Sequence, residues 1–294
     1  EALRRANVPV LLVGGWQDVF LEQTLEQYEA LRARDVPVAL TVGPWTHGEV
    51  SSQGAPQVFT ESLAWLDEHL ADGPPARTSA VHVYRTGENR WHELAAWPPP
   101  TTTAEFRLHA DHTLTTADAV PEPGTTVTFR YHPADPTPSI GGRTLAGSIG
   151  IKDNKSLEER PDVVTFTTDP LPTAVDVTGA PTVELAVAVD TPWADVFVRL
   201  CDVDEKGRSH NVTDLLHRLD PTVPAGQVQP LTLTLDPCFH RLLAGHRLRL
   251  QISGGAFPRY SRNLGTPNTT AEGKTLRAAL HTIHCAESRL VLPV

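Results

Sequence analysis

Residues 8–48 constrain this chain more than any other stretch. They alternate two buried-strand patterns with two loops that each end on a chemically capable side chain. Val8-Pro9-Val10-Leu11-Leu12-Val13 is almost purely apolar and rich in β-branched residues, and Gly14-Gly15-Trp16-Gln17 follows it before Asp18. A run of that kind reads as a strand covered on both faces, as in parallel sheets flanked by helices. Phe20, Leu21, Thr24, Leu25, Tyr28 and Leu31 then recur at helical spacing, with Glu22, Glu26, Arg32 and Arg34 on the polar face. A second apolar run, Val36 to Val42, leads into Gly43-Pro44-Trp45-Thr46-His47-Gly48. The order is strand, acid-bearing loop, crossover helix, strand, histidine-bearing loop.

That order has a chemical meaning. In open α/β sheets the working residues lie just beyond the carboxyl ends of the strands. An acid after one strand and a histidine after the next can meet there, the carboxylate fixing the imidazole tautomer so that the other ring nitrogen acts as a base. Spacing alone leaves two plainer readings open. Asp18 could cap the helix that follows it, and His47 could bond a loop carbonyl.

Gly14-Gly15-Trp16-Gln17-Asp18-Val19-Phe20 and Gly43-Pro44-Trp45-Thr46-His47-Gly48 resemble the acid and histidine motifs of the X-Pro dipeptidyl-peptidase/cocaine-esterase-like hydrolases. The resemblance implies an α/β-hydrolase with a Ser-His-Asp triad, a helical cap and a carboxy-terminal jelly roll, with Asp18 as the acid and His47 as the base. In that family the serine precedes both, on a Gly-x-Ser-x-Gly elbow. No such elbow occurs in the 294 residues, and Ser51 and Ser52 follow His47 without a strand-turn-helix context. The expectation is the back portion of a serine hydrolase, inactive alone because the nucleophile and the oxyanion-hole donors lie outside it. Phe20 and Trp45, each two residues from a triad member, are candidates for the substrate pocket, with core packing as their rival.

Thr60 to Leu70 reads as a further helix, with Phe59, Leu63, Trp65, Leu66 and Leu70 on its apolar face. Two strands and two or three helices do not complete an α/β domain, because a bare edge exposes unpaired backbone and apolar side chains. Sequence reasoning therefore expects the rest of the sheet from preceding residues, another polypeptide or another copy. Asp72-Gly73-Pro74-Pro75 marks a boundary. Residues 1–75 read as the carboxy-terminal part of an α/β catalytic domain, and residues 76–294 as a two-sheet antiparallel β-sandwich. Strand candidates there are 80–85, 104–109, 125–131, 162–167, 182–190, 195–203, 229–235, 247–253, 281–285 and 289–292. Leu248-Arg249-Leu250-Gln251-Ile252 alternates as a strand with one wet face should. The stretches 133–142, 160–171, 245–253 and 257–263 also resemble the family's jelly roll, which implies that the 137–142 and 254–264 loops wall the active site.

A formal charge of −10 argues against nucleic-acid and anionic-membrane partners. Cys201, Cys238 and Cys285 are dispersed and odd in number, which favours buried thiols in a reducing, cytoplasmic setting. The scattered histidines lack metal-ligand spacing and no Gly-rich phosphate loop occurs, so no cofactor or metal is expected. The expected partner is a small ester, amide or peptide substrate, and an exposed sheet edge would favour self-association. The sequons at Asn211 and Asn268 are set aside as chance matches. The rival from another class is a non-catalytic β-sandwich that binds a ligand or partner.

Overall fold

The computed structural model describes residues 2–267 and 273–294. It is mostly β-sheet with few helices, and it divides into two compact units. The first comprises residues 1–100, 143–150 and 239–241, and the second holds the rest.

The first unit is built on a four-stranded sheet, β1 (Val10–Gln17), β2 (Val38–Thr46), β3 (Val81–Arg85) and β4 (Arg90–Leu94), in that spatial order. β1, β2 and β3 are parallel, and β4 turns back against β3. Four helices accompany it: α1 (Ala2–Arg5), α2 (Leu21–Arg32), α3 (His47–Val50) and α4 (Ala55–Leu70). Successive strand residues point to opposite faces, which fixes what each helix meets. Leu40, Val42, Val81 and Val83 share a core with Leu21, Leu25 and Tyr28 of α2, closed off by Trp16, Trp97 and Phe239. Thr41 and His82 face the other way, and α4 covers them. Residues 76–100, expected to open the β-sandwich, instead extend this first sheet, because β3 takes the free edge of β2 with Leu40 opposite Val81.

Two details of this unit depart from the sequence reading. Phe59, Leu63, Leu66 and Leu70 do form a stripe along α4, but they are 67%, 67%, 50% and 79% exposed. The residue α4 buries is Glu61. Its carboxylate bonds Thr41 and Gln57, pairs with Arg77 Nη2 at 2.6 Å and meets His82 Nδ1 at 3.1 Å. Amphipathic spacing identifies an apolar face without saying which body covers it, and here a buried ion pair ties α4 to the sheet instead. The second departure concerns β1 and β2. Gly15 lies opposite Gly43, yet Gln17 lies opposite Thr46, so β2 carries one extra residue between these pairs. The bulge turns the Trp45 carbonyl toward Gly15, where any Cβ would overlap that oxygen.

The second unit is a β-sandwich. One sheet runs β6 (Leu114–Thr116), β5 (Thr103–Leu108), β17 (Arg289–Pro293), β10 (Thr182–Val189), β16 (Ala279–His284) and β7 (Thr126–Tyr131), with β13 (Val228–Thr234) also paired to β10. The other runs β12 (Ser209–Arg218), β11 (Asp195–Val203), β15 (Arg247–Ser253) and β8 (Val163–Thr167). Phe106, Phe129, Leu185 and Leu290 from the first sheet meet Phe166, Val198, Leu250 and Ile252 from the second in one core. Every expected strand forms, the 80–85 run as β3 of the first unit, whereas β4, β6, the short β9 (Val175–Gly179) and β14 (Cys238–Leu242), and the long β12 had no signal. The β12 sequence Ser-His-Asn-Val-Thr-Asp is too polar to read as sheet, and it is half-buried to buried along most of its length. The polarity is satisfied from β11, where the buried Arg199 guanidinium pairs with Asp214 at 2.8 Å. Gln251, expected on a wet face, is also buried, because that face of the sheet is covered by chain. Cys201, Cys238 and Cys285 are free and buried. Asn211 of the first sequon is buried, and Asn268 lies outside the described residues.

The bulge predicts that Gly15→Ala destabilises the protein by about 1–3 kcal/mol in chemical denaturation, through overpacking against Trp45. The neighbouring Gly14→Ala is the control, since its Cβ would sit 3.6 Å from Thr24 Cγ2 in ordinary contact, and it should change stability by less than about 0.5 kcal/mol. Glu61 generates a pH prediction. Burial pushes its carboxyl up, but the bonds from His82, Thr41 and Gln57 and the Arg77 charge outweigh burial and hold it at about 2, below the ordinary 4.5. The folded value is depressed, so the stabilisation is complete above about pH 4.5 and is lost as pH falls toward 2. Discounted for solvent screening, the loss should be about 2 kcal/mol. Thermal unfolding followed from pH 5 to pH 2 should therefore fall less steeply in Glu61→Gln than in the unaltered protein.

Candidate active site

Asp18 and His47 each stand one residue beyond the last matched pair of the parallel strands, Gln17 opposite Thr46. Both side chains thus emerge at the carboxyl end of the sheet, from adjacent strands. His47 Nδ1 lies 3.2 Å from Asp18 Oδ1 and 3.3 Å from Oδ2. The Asp18 side chain is 8% exposed and that of His47 is 48% exposed. The ring therefore turns one nitrogen into the protein while much of its surface stays open, and Nε2, across the ring, is left for a proton donor or acceptor.

Both plain alternatives can be tested on the same geometry. Asp18 Oδ1 also accepts the Phe20 N–H at 2.9 Å, so the carboxylate does close the turn that enters α2. Capping and holding His47 are not exclusive, because the two oxygens offer room for both donors. His47, in contrast, turns its Nδ1 to this carboxylate rather than to a loop carbonyl.

The histidine loop is held from both sides. Glu49 Oε2 accepts the Thr46 N–H at 2.8 Å, one half of a capping box that starts α3 at His47. Sequence reasoning passed over Glu49, although Thr46-Gly48 spacing up to Glu49 is the Thr-x-x-Glu signature of such a box. Trp45, offered above as a pocket residue, is 6% exposed. Its ring packs over Gly43 and Gly54, with a Trp91 centroid 5.7 Å away. It belongs to the support beneath the histidine, not to an open wall. Phe20 differs. It is 53% exposed and meets the His47 ring edge-to-face at 5.1 Å between centroids. Ser51 and Ser52 both donate to the Gly48 carbonyl, at 3.3 and 2.8 Å. Gly150 approaches from the other side, its φ of +75° placing it where a Cβ would touch Thr46 Cγ2 at 3.0 Å.

In the second unit, the 137–142 and 254–264 loops come together. Ser139 N–H donates to the Phe257 carbonyl at 2.7 Å and Phe257 N–H to the Thr137 carbonyl at 2.8 Å. Beneath them, Arg259 Nη1 reaches Asp214 Oδ1 at 2.7 Å, so two buried guanidiniums share one buried carboxylate. Burial raises the Asp214 carboxyl, but Arg199 and Arg259 outweigh it and hold the group below the ordinary carboxylate range. Arg199 Nη1 also bonds Asn154 Oδ1 at 2.7 Å and the Ile140 carbonyl, which makes it the anchor of the first loop. The same unit carries a cleft of about 310 Å³ whose wall includes Trp193, Arg218, Asn263 and Pro221. Among the described residues no group of three or more His, Cys, Asp and Glu side chains could hold a metal ion, and no helix is long and apolar enough to cross a membrane.

Comparison with known proteins relates the chain to a family. Cocaine esterase of Rhodococcus sp. is 28% identical over 331 residues, covering 100% of this chain and 58% of the esterase. The structure of an α-amino acid ester hydrolase superposes with a TM-score of 0.86 at 25% identity, over 99% of this chain and 56% of that one. An aminopeptidase from a Thaumarchaeota archaeon has the same fold, with a TM-score of 0.84 at 23% identity over 97% of this chain and 54% of its own. The chain thus spans a little over half the length of each of these relatives. Residues 1–49 match the X-Pro dipeptidyl-peptidase (S15) family, and residues 75–290 match the X-Pro dipeptidyl-peptidase C-terminal non-catalytic domain. With the second match covering most of its length, this chain belongs to the family of the X-Pro dipeptidyl-peptidase C-terminal domain.

Proposed function

We propose that this chain is the acid- and base-bearing part of a serine hydrolase that cleaves esters or amides through an acyl-enzyme. The observation that carries the reading is the Asp18–His47 pair, with Nδ1 at 3.2 and 3.3 Å from a buried carboxylate and the ring half open. In the reaction, a serine hydroxyl supplied from outside these residues attacks the substrate carbonyl as His47 Nε2 takes its proton. The tetrahedral intermediate collapses, the bond to the leaving group breaks, and His47 returns the proton to that group. A water molecule then repeats the sequence on the acyl-enzyme and frees the serine. Asp18 orients the ring and stabilises its cationic form. Phe20, exposed against the His47 ring edge, lines the substrate side of the site, and Trp45 acts from beneath by holding the histidine loop.

In domain terms, residues 1–75 are on this reading the end of the α/β-hydrolase domain and residues 76–294 a jelly roll whose first hairpin has joined the hydrolase sheet. The sheet-sharing of β3 and the break between the family matches at residues 49 and 75 support it. A binding role for the sandwich has one observation in its favour, the cleft beside Trp193, and it is compatible with the hydrolase reading.

Labelling with a fluorophosphonate probe, read by intact mass, tests the proposal. The 294-residue chain alone should form no adduct. A stoichiometric adduct on it that disappears in His47→Ala would overturn the external nucleophile. In a polypeptide that also contains the serine-bearing part, His47→Ala should lower kcat by about 10⁶-fold and Asp18→Asn by about 10⁴-fold. Rates near that of the unaltered enzyme would remove both residues from the mechanism.

A further inference from the structure

The β-sandwich unit carries a concave site that the Asp18–His47 chemistry does not use. Asp195 opens β11 and lies opposite Arg218, the last residue of β12, so two strand ends meet at one corner of the second sheet. Trp193 on the chain entering β11, Pro221 on the chain leaving β12 and the 261–267 loop surround a cleft of about 310 Å³ there. That volume lies at the small end of the roughly 300–1,000 Å³ over which small-molecule sites range. The corner is closed by the backbone and by apolar side chains. Leu219 N–H donates to the Ala194 carbonyl at 3.0 Å, and both residues are buried.

The charges in the wall have one sign. Arg218 and Arg262 line the cleft, and among the described residues no Asp or Glu does. Asp195 lies behind the wall with its side chain 1% exposed, and it aims two of the lining groups. Arg218 donates from Nε to Oδ1 at 2.9 Å and from Nη2 to Oδ2 at 3.3 Å, while Asn263 Nδ2 donates to Oδ1 at 2.8 Å. The Asn263 carboxamide oxygen in turn accepts the Gly265 N–H at 3.0 Å. Arg262 is anchored separately, Nη1 to the Pro133 carbonyl at 3.0 Å. Asp220, beside Pro221, has Oδ1 occupied by the Thr222 N–H and hydroxyl at 2.9 and 2.7 Å. An Asp195 clamp on the 261–267 loop accounts for Asn263. It does not account for two guanidiniums in the wall, of which Arg218 is 65% exposed and, among the described residues, spends only its Nε/Nη2 edge. One carboxylate against two guanidiniums leaves one net positive charge, in a chain whose formal charge is −10.

We propose that this cleft binds a small monocarboxylate with a flat apolar body, its carboxylate on Arg218 and Arg262 and its body against Trp193 and Pro221. A guanidinium already aimed by a buried acid offers fixed donors to a second carboxylate at little ordering cost. The single net positive charge matches a monoanion rather than a phosphate dianion. Indole and proline surfaces favour a flat ring over a flexible chain. Every residue of the cleft belongs to the second unit, so the proposal stands apart from the serine-hydrolase reading.

Equilibrium dialysis of the 294-residue chain against 2-naphthoate tests the proposal. The comparison ligands are 2-naphthylmethanol, which has the same body without the charge, and inorganic phosphate, which has charge without the body. Saturable binding of 2-naphthoate with a Kd of about 1 mM or tighter is expected. The alcohol and phosphate should each bind about tenfold more weakly or worse. Two variants locate the ligand without unpairing Asp195. Pro221→Glu sets a carboxylate on the exposed rim and should weaken binding about fivefold, whereas Pro221→Gln should leave it unchanged. Trp193→Ala should weaken it about tenfold by removing the ring the body rests on. No saturable binding up to about 10 mM, or equal binding of 2-naphthoate and the alcohol, would overturn the proposal. Phosphate binding tighter than 2-naphthoate would overturn it in favour of a phosphate ligand. Binding that Pro221→Glu and Trp193→Ala both leave unchanged would place the ligand elsewhere and overturn the site. None of these measurements involves Asp18, His47 or a serine, so either reading can fail while the other stands.

Discussion

The close approach of β1 and β2 at Gly15 is the constraint on which the rest of the first unit depends. One extra residue in β2 turns the Trp45 carbonyl inward and brings Thr46 opposite Gln17. Only a residue without a Cβ tolerates that oxygen. Without the bulge the register would place Trp45 opposite Gln17, and the histidine would emerge a residue later than the acid. With it, both chemical side chains leave the sheet at the same level. Gly43 and Gly54 extend the same logic, since they make the hollow in which the Trp45 ring lies beneath the histidine loop. The positions of Asp18 and His47 are thus set by backbone packing before either meets the other.

Much of this arrangement was legible in the order of residues. Short apolar runs, a helical period between them and a chemical side chain after each run are local signals, and they identified β1, α2, β2, Asp18 and His47. The bulge was not legible, because a register shift is a property of two strands together. The α4 face shows a different limit. Its period gave the stripe correctly, but periodicity reports that a face is apolar and not which body covers it. Glu61 illustrates the converse: a charged residue in a helix reads as solvent-facing until Arg77, His82 and Thr41 arrive from sequence-distant positions. β12 escaped for the same reason, its polar side chains being answered by Arg199 on β11.

The second unit uses buried charge to fix loops rather than to strengthen its core. Its apolar core already spans both sheets. Arg199 and Arg259 around Asp214 lie outside it, where the outer face of β11 meets the 137–142 and 254–264 loops. Such a cluster contributes little net stability against an apolar substitute of the same volume, and its value lies in specifying one arrangement. Two loops that lack regular secondary structure are held by directional bonds from rigid strands.

The shared oxygen of Asp18 has a further consequence. Because the Phe20 N–H binds Oδ1 from the backbone at the mouth of α2, the carboxylate is held by a group that does not titrate. In the proposed reaction the imidazole gains and loses a proton twice per turnover, while the acid keeps its aim throughout. Little reorganisation is then left to the protein at each transfer, since the dipoles that must respond are already in position. On that reading the half-open ring is the group left to respond, against a carboxylate already fixed by the backbone.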